Sequence, residues 1–66
     1  MENQQQPVDR FLREREVQGI TGLSRTTRWR LEREGKFPAR RQISDNAVGW
    51  LESEISDWIA SREAAA

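Results

Sequence analysis

The segment from Ser24 to Gly35 constrains the fold most strongly, because both of its ends favour helix boundaries. The Ser24 hydroxyl can accept a hydrogen bond from an unpaired amide of the first turn, and Gly35 tolerates the positive φ of a residue just beyond a helix. The segment therefore predicts a helix of about three turns. A tight turn at Gly22 and an apolar residue, Leu23, precede it. A turn followed by a capped, arginine-rich helix is typical of a helix-turn-helix, whose second helix enters the DNA major groove.

Length and composition limit what else the chain can be. Sixty-six residues form one small domain, which buries only about 60% of the surface that its unfolded chain exposes. The sequence has no Cys and no His, so it lacks disulfides, thiolate metal sites and the commonest general base. We therefore expect neither enzyme activity nor a metal or cofactor. No apolar run approaches the roughly 18 residues of a membrane span, and the N-terminus does not follow the pattern of a signal peptide, so we expect a soluble, cytoplasmic protein.

Charge is unevenly distributed along the chain, although the formal net charge is zero. Residues 25–41 hold six Arg and one Lys against two Glu, a net charge of plus five. Residues 44–66 hold one Arg against five acidic residues, a net charge of minus four. A polyanion responds to the local field rather than to the total charge, so the pattern predicts a basic face suited to nucleic acid. A solvated polar surface without a ligand is the alternative interpretation.

A first helix is predicted over Glu14 to Thr21, immediately before the turn. Val17 and Ile20 stand three residues apart on one face, and the acidic residues near its start suit the positive end of the helix dipole.

The residues before and after the predicted elements are polar or small. We expect residues 1–9 to form a disordered arm, residues 10–62 the folded domain, and residues 63–66 a frayed tail.

The second helix divides into two faces at about 100° per residue. Thr27 and Leu31 lie on the core side. The opposite side suits base edges, since arginine can donate two hydrogen bonds to guanine and a threonine methyl can contact thymine. This side carries Arg25, Thr26, Trp29, Arg30 and Arg33. The residues of this helix that are expected to contact DNA are Ser24, Arg25, Thr26, Arg28, Trp29, Arg30 and Arg33. Two of these positions stay ambiguous: a core position for Trp29 would rotate the helix, and Arg28 stands where an apolar residue normally packs on Leu23.

After Gly35 the apolar residues no longer follow the spacing of a helix, and this change predicts a two-stranded hairpin. Pairing Ile43 with Val48 across turn-forming residues places Arg41 opposite Trp50. A basic hairpin beside a recognition helix is a wing that contacts phosphates, and a loop with surface arginines is the alternative. The residues expected to contact DNA from the wing and its flank are Lys36, Arg40, Arg41 and Gln42.

A third helix, capped by Ser53, is predicted from Glu54 to about Arg62. Its apolar residues recur at i, i+3 and i+4 and are expected to complete the core. A dimer interface through Trp58 and Ile59 is the alternative, although so small a core needs its large side chains. The predicted core comprises Leu12, Val17, Ile20, Leu23, Leu31, Phe37, Trp50, Ile55, Trp58 and Ile59.

The order of motifs along the domain resembles a known family. The motifs are Phe11-Leu12-Arg13, Glu16-Val17, Thr21-Gly22-Leu23-Ser24-Arg25-Thr26-Thr27, Trp29-Arg30-Leu31, Gly35, Phe37-Pro38, Val48, Trp50, Glu54-Ile55 and Trp58-Ile59. The Thr-Gly-Leu-Ser-Arg turn followed by Phe-Pro is the most specific part. This order closely resembles that of the AlpA-type prophage regulators, small DNA-binding proteins related to phage excisionases and, more loosely, to the DNA-binding heads of MerR-type regulators.

The resemblance implies a mainly helical fold with a small β-hairpin, a winged helix-turn-helix of three short helices and a two-stranded wing. The second helix, over residues 24–34, would enter the major groove, and the hairpin over residues 39–50 would contact the backbone or minor groove. By position, the resemblance assigns Ser24, Arg25, Thr26 and Arg30 to the recognition helix and Lys36, Arg40 and Arg41 to the wing region. Where Arg28 stands, the family usually has an inward aliphatic residue, so Arg28 either extends along the core edge or the helix is slightly rotated.

Family members act as regulators of integrase and other mobile-element genes or as excisionase-like accessory factors. The favoured function is therefore sequence-specific binding of double-stranded DNA by a bacterial, nucleoid-associated prophage regulator. An excisionase-like factor that bends DNA is the alternative within this class. A protein-interaction module that docks an integrase through the third helix is the alternative from another class, and an exposed Trp58 would distinguish it. Other copies of the chain on adjacent DNA sites are further expected partners, whereas a membrane or small-molecule substrate is not expected.

Overall fold

The computed structural model describes residues 9–62 and Ala64. The elements, in chain order, are β1 (Phe11–Leu12), α1 (Glu14–Thr21), α2 (Arg25–Arg33), β2 (Arg41–Ser44), β3 (Ala47–Leu51) and α3 (Glu52–Ala60). Three helices and a small antiparallel sheet are compatible with the predicted winged helix-turn-helix. None of the described helices has the length and apolarity needed to cross a membrane. Most of the predicted arm and tail lie outside the described residues.

The sheet has three strands in the order β1-β3-β2, one more than predicted. Phe11 pairs with Leu51, and Leu12 pairs with Trp50, both antiparallel. Strand β1 is missing from the prediction because a two-residue strand is too short to show alternation. It joins the start of the domain to the hairpin, so β3 is the central strand of the sheet and the hairpin is not an isolated ribbon.

The register of the hairpin differs from the predicted one. Arg41 lies opposite Gly49 rather than Trp50, and Val48 pairs with the residue before Ile43. An irregularity at Ile43 places one extra residue in β2 and shifts the pairing. A bulge of this kind depends on the packing around it, and the alternation of side chains does not reveal it.

Helix α1 has the predicted bounds and ends at a tight turn. Gly22 adopts a φ of 75°, and its amide donates to the Gln18 carbonyl at 2.8 Å. The Thr21 hydroxyl donates to the Val17 carbonyl and accepts a hydrogen bond from the Leu23 amide. These bonds fix the short connection that orients α2 after α1.

Helix α2 has the predicted caps. The Ser24 hydroxyl oxygen accepts a hydrogen bond from the Thr27 amide at 3.2 Å. At the other end, Gly35 has a φ of 75°, which favours glycine. Both ends are therefore fixed by residues within or next to the helix.

Helix α3 begins two residues before the predicted start, and Ser53 is not its N-cap. The N-cap residue is Leu51, which has no side-chain cap. Instead, the Asp9 carboxylate accepts hydrogen bonds from the Ser53 amide at 3.1 Å and from the Ser53 hydroxyl at 2.5 Å. These bonds, with the hydroxyl contributing most, lower the pKa of Asp9 from its ordinary value. Asp9, assigned to the arm from sequence, therefore contacts the folded domain.

The core consists mainly of predicted residues. Five are buried: Leu12, Val17, Phe37, Trp50 and Ile55. Three more pack against them and are partly buried: Leu23, Leu31 and Trp58. The predictions for Ile20 and Ile59 are wrong, since these side chains are 49% and 41% exposed. Each lies one residue from the end of its helix, and periodicity identifies the inward side of a helix without showing how far the core extends.

Gly49 occupies a close-packed position in the sheet. A Cβ atom there would lie 2.6 Å from Ile43 Cδ1 and 2.8 Å from the Leu12 carbonyl oxygen. Because the second atom belongs to the backbone, β1 would have to move. We expect Gly49→Ala to lower the free energy of unfolding by about 1–3 kcal/mol, measured by urea denaturation.

Gly19→Ala is the matched control for this substitution. Gly19 lies inside α1, and outside the adjoining backbone of that helix no atom of a described residue lies within 4 Å of the added methyl group. The control should raise the free energy of unfolding by up to about 1 kcal/mol. Equal effects of the two substitutions would contradict the close packing of Gly49.

Candidate nucleic-acid interface

Helix α2 presents one side to solvent and one to the core. The side chains of Thr27 and Leu31 are partly buried, as expected for the core side. Trp29 is 48% exposed, which excludes the rotated helix in which it would be buried. The exposed residues of this helix, called here the α2 face, are Arg25, Thr26, Trp29, Arg30 and Arg33.

Three arginines give the α2 face its charge. Arg25, Arg30 and Arg33 form no ion pair with any other described residue. The guanidinium carbon of Arg33 lies 4.7 Å from the centroid of the Trp29 ring, a cation–π contact at the surface. Cations without carboxylate partners on one side of a short helix create a local positive field.

Two open grooves flank Trp29. The first has a volume of about 410 Å³ and is lined by Arg25, Thr26, Trp29 and Arg40. The second has a volume of about 370 Å³ and is lined by Trp29, Glu32, Arg33, Ala39 and Arg40. Trp29 and Arg40 line both grooves, so the segment that leads into β2 lies beside the α2 face.

Arg28 does not belong to this face, and its prediction as a DNA contact is wrong. Its side chain is only 2% exposed. The guanidinium donates to both carboxylate oxygens of Glu14, and Nε donates to the Leu23 carbonyl at 3.1 Å. Its central carbon lies 5.5 Å from the centroid of the Trp50 ring. Arg28 therefore occupies an inward position by pairing with an acidic residue of α1.

Glu14 shows the electrostatic consequence of this pairing. The hydrogen bond from Arg28 is the largest cause that lowers the pKa of the Glu14 carboxyl from its ordinary value. The Glu14 side chain remains 42% exposed, so one end of the pair contacts water while the other end is buried. The pair joins α1 to α2 at the back of the α2 face.

The two arginines of the predicted wing are paired with carboxylates. Arg40 Nε lies 3.2 Å from Glu32 Oε2, and the Arg40 amide donates to the same oxygen at 3.1 Å. Arg41 pairs with Glu54 of α3 at 2.8 Å. Both predicted phosphate contacts are thus engaged within the molecule. Neither pair is predicted from the sequence, although Glu32, an acidic residue inside a run of arginines, is a signal for the first of them.

The remaining predicted contact residues, Lys36, Gln42 and Ser24, lie outside the α2 face. The Lys36 side chain is 67% exposed, and its Nζ lies 3.6 Å from Glu34. The Gln42 side-chain amide donates to the Ser44 carbonyl at 2.9 Å and so stabilises the turn of the hairpin. The hydroxyl of Ser24 is used to cap α2. Arg40 lines both grooves and therefore lies beside the α2 face. The hydrogen bonds of Gln42 instead hold its side chain at the hairpin turn.

Trp58 of α3 is tied to the rest of the domain. Its ring packs edge-on against Phe37, with centroids 4.8 Å apart. Its Nε1 donates to the Lys36 carbonyl at 2.8 Å. Because the side chain is partly buried, it does not offer the exposed indole that would distinguish a docking module.

Comparison with known proteins agrees with the resemblance seen in the sequence. The family model of the prophage CP4-57 regulatory protein (AlpA) matches residues 10–63. A relative in Enterobacteria phage P4, the uncharacterized protein ORF88, is 45% identical over 54 residues. That alignment covers 82% of this chain and 61% of the relative, so the chain spans about three-fifths of the relative's length. The chain belongs to the AlpA family of prophage regulatory proteins.

Proposed function

We propose that this chain regulates phage genes by binding double-stranded DNA through the α2 face, without catalysing a reaction. The observation that carries the proposal is a set of three arginines, on the exposed side of a helix that follows a tight turn, that pair with no carboxylate among the described residues. Membership of a prophage regulatory family supports the same function. A helix of this kind fits the major groove, where long donors can reach base edges.

The proposed contacts divide into those that read bases and those that hold phosphates. Arg25 and Arg30 would donate to guanine, and Thr26 would contact thymine through its methyl group. Arg33 would contact phosphate from the far end of α2. Lys36, Arg40 and Arg41 would contact phosphates from the hairpin and its flank. Phosphate contacts supply most of the affinity and base contacts most of the specificity.

The ion pairs of the hairpin limit what the hairpin contributes to the affinity for DNA. Arg40 must exchange Glu32 for a phosphate, and Arg41 must exchange Glu54, before either can stabilise a complex. One module of this size buries about 600–1,000 Å² on DNA. We therefore propose that two or more copies bind adjacent sites to reach a useful affinity.

A salt titration with random-sequence duplex DNA tests the proposal. If about four phosphates are neutralised, the logarithm of the association constant should fall with the logarithm of salt concentration at a slope near −3.6. That slope means a loss of roughly a hundredfold between 50 and 200 mM salt. Binding that is absent, or that does not respond to salt, would contradict DNA binding through this face.

Selection at about 150 mM salt, followed by sequencing, then tests specificity. An enriched motif would support a regulator that recognises an operator, and its spacing would show how copies are arranged. Salt-sensitive binding without a motif would contradict sequence-specific regulation. A DNA bend in a circularisation assay would favour the excisionase-like alternative.

Glu32→Gln should strengthen binding to random duplex DNA. The substitution keeps an acceptor for the Arg40 amide but removes the charge that holds the Arg40 guanidinium. Arg40 would then reach its phosphate without first breaking an ion pair, so affinity should rise several-fold at about 100 mM salt. Asp57→Asn removes the same charge from the exposed side of α3 and is the matched control. Equal effects of the two substitutions would show that only net charge matters.

A further inference from the structure

Trp29 is the largest apolar surface on the α2 face. It is 48% exposed, although a tryptophan of so small a domain would be expected to complete the core. The other two tryptophans do so: Trp50 is buried, and Trp58 packs against Phe37. Packing of the core therefore does not explain why the Trp29 indole lies exposed in the middle of a cationic surface.

The surroundings of Trp29 restrict its use. The Arg33 guanidinium, one helical turn further on, covers part of the ring at 4.7 Å from its centroid. Thr26, one turn earlier, is also exposed and lines the same groove of about 410 Å³. Arg25 and Arg40 complete the lining of that groove. An apolar strip made of an indole and a threonine side chain thus lies between cations.

The chemistry of the major groove supplies one apolar group that fits this strip. Every base edge there presents hydrogen-bond donors or acceptors, and thymine alone among the four bases adds a methyl group at C5. The neighbouring arginines are placed to hold the phosphates or guanines around it. We infer that Trp29, together with Thr26, contacts the C5 methyl group of thymine and selects thymine at one or two positions of the bound site.

This inference rests on the proposed function and names a specificity-determining residue for it. Arg25 and Arg30 would recognise guanine through hydrogen bonds, whereas Trp29 would recognise thymine through a methyl group that forms no hydrogen bond. Arg33 acts as a positioning residue, because its cation–π contact holds the indole on the side of the helix where the groove lies.

The test uses uracil, which differs from thymine only by the missing methyl group. A duplex enriched by selection from a random pool is resynthesised with uracil in place of thymine, first at every position and then singly. Dissociation constants are measured for the wild-type chain and for Trp29→Ala. The wild type should bind the uracil duplex about fourfold more weakly for each buried methyl group that is lost. Trp29→Ala should bind the thymine and uracil duplexes with nearly the same affinity.

Two further variants keep the result interpretable. Trp29→Leu retains an apolar side chain and should keep part of the preference for thymine. Arg62→Ala removes an arginine that stacks on Trp58, with its guanidinium carbon 4.6 Å from that ring, and should keep the whole preference. Far-ultraviolet circular dichroism checks that each variant is folded.

Several outcomes would overturn the inference. Equal binding of thymine and uracil duplexes by the wild type would exclude methyl recognition. A thymine preference that survives Trp29→Ala would assign the methyl contact to other residues. Binding to duplex DNA without an enriched motif would overturn this inference but leave non-specific DNA binding intact, whereas absence of all DNA binding would overturn the proposed function itself.

Discussion

Arg28→Ala should unfold a large fraction of the domain. Removing one partner of a buried ion pair costs about 3–5 kcal/mol. We expect a loss near the lower end, about 3 kcal/mol, because Glu14 is 42% exposed and can regain water. The substitution also leaves an empty volume beside Trp50 and the Leu23 carbonyl without its donor. A domain of this size has only a few kcal/mol of stability to lose.

Arg28→Met is the matched comparison. Methionine fills much of the same volume against Trp50 but, like alanine, leaves Glu14 and the Leu23 carbonyl without their donor. Arg28→Met should therefore be less stable than the wild type but more stable than Arg28→Ala, because it leaves a smaller cavity. Urea denaturation followed by circular dichroism at pH 7 measures both variants. An Arg28→Ala variant as stable as the wild type would contradict the buried position of Arg28.

Acid denaturation separates the ion pair from simple packing. The pKa of Glu14 is lowered in the folded state, mainly by the hydrogen bond from Arg28. Its contribution to stability is therefore complete above the unfolded pKa of about 4.3 and is lost as pH falls through the folded value. Asp9 and Glu16, whose pKa values are also lowered, act in the same direction and remain in the variants. Arg28→Met should lose less stability than the wild type on acidification.

Arg25→Ala and Arg30→Ala should each weaken binding to the selected duplex by about tenfold or more. Each substitution removes a long donor from the α2 face, and a good bidentate contact to guanine provides about 1–3 kcal/mol of discrimination. Binding to random duplex DNA should weaken less, because only the phosphate field is reduced there. Gel mobility or fluorescence anisotropy at a fixed salt concentration measures both effects.

Arg62→Ala is the control for charge in this experiment. It removes the same charge from the end of the chain that carries α3, where Arg62 stacks on Trp58. Affinity for the selected duplex should hardly change. A loss as large as that of Arg30→Ala would indicate a general electrostatic effect and would contradict base recognition by the α2 face.

The helix boundaries that could be predicted are those fixed by nearby residues. Ser24 caps α2 through an amide three residues away, and Gly22 and Gly35 adopt the positive φ that glycine favours. Such contacts are encoded within one turn of chain. The start of α3 could not be predicted in the same way, because Asp9, which contacts Ser53, lies 44 residues earlier.

The candidate interface likewise combines features that local sequence predicts with features that depend on tertiary packing. Angular position along the helix separates its exposed side from Thr27 and Leu31, but it leaves Trp29 and Arg28 undecided. The side chain of Glu14 determines that Arg28 points inward and Trp29 outward, because it gives the inward arginine a partner from another helix. The pairs of Arg40 with Glu32 and of Arg41 with Glu54 also depend on how the hairpin packs. The position of Glu32 inside a run of arginines is a local sign of the first pair, but no local pattern indicates the pairing of Arg41 with Glu54.

The contacts between the first residues of the domain and α3 affect how a ribosome can produce this fold. Asp9 and β1 leave the ribosome first, yet their partners, Ser53 and residues 50–51, are among the last parts of the domain to be synthesised. At about 5–20 residues per second, the interval is a few seconds. During that time the nascent chain can form α1 and α2 locally, but β1 has no strand to pair with. Completion of the sheet must therefore wait until residues 50–53 have left the ribosome, so the contacts that join the two ends of the domain are among the last to form.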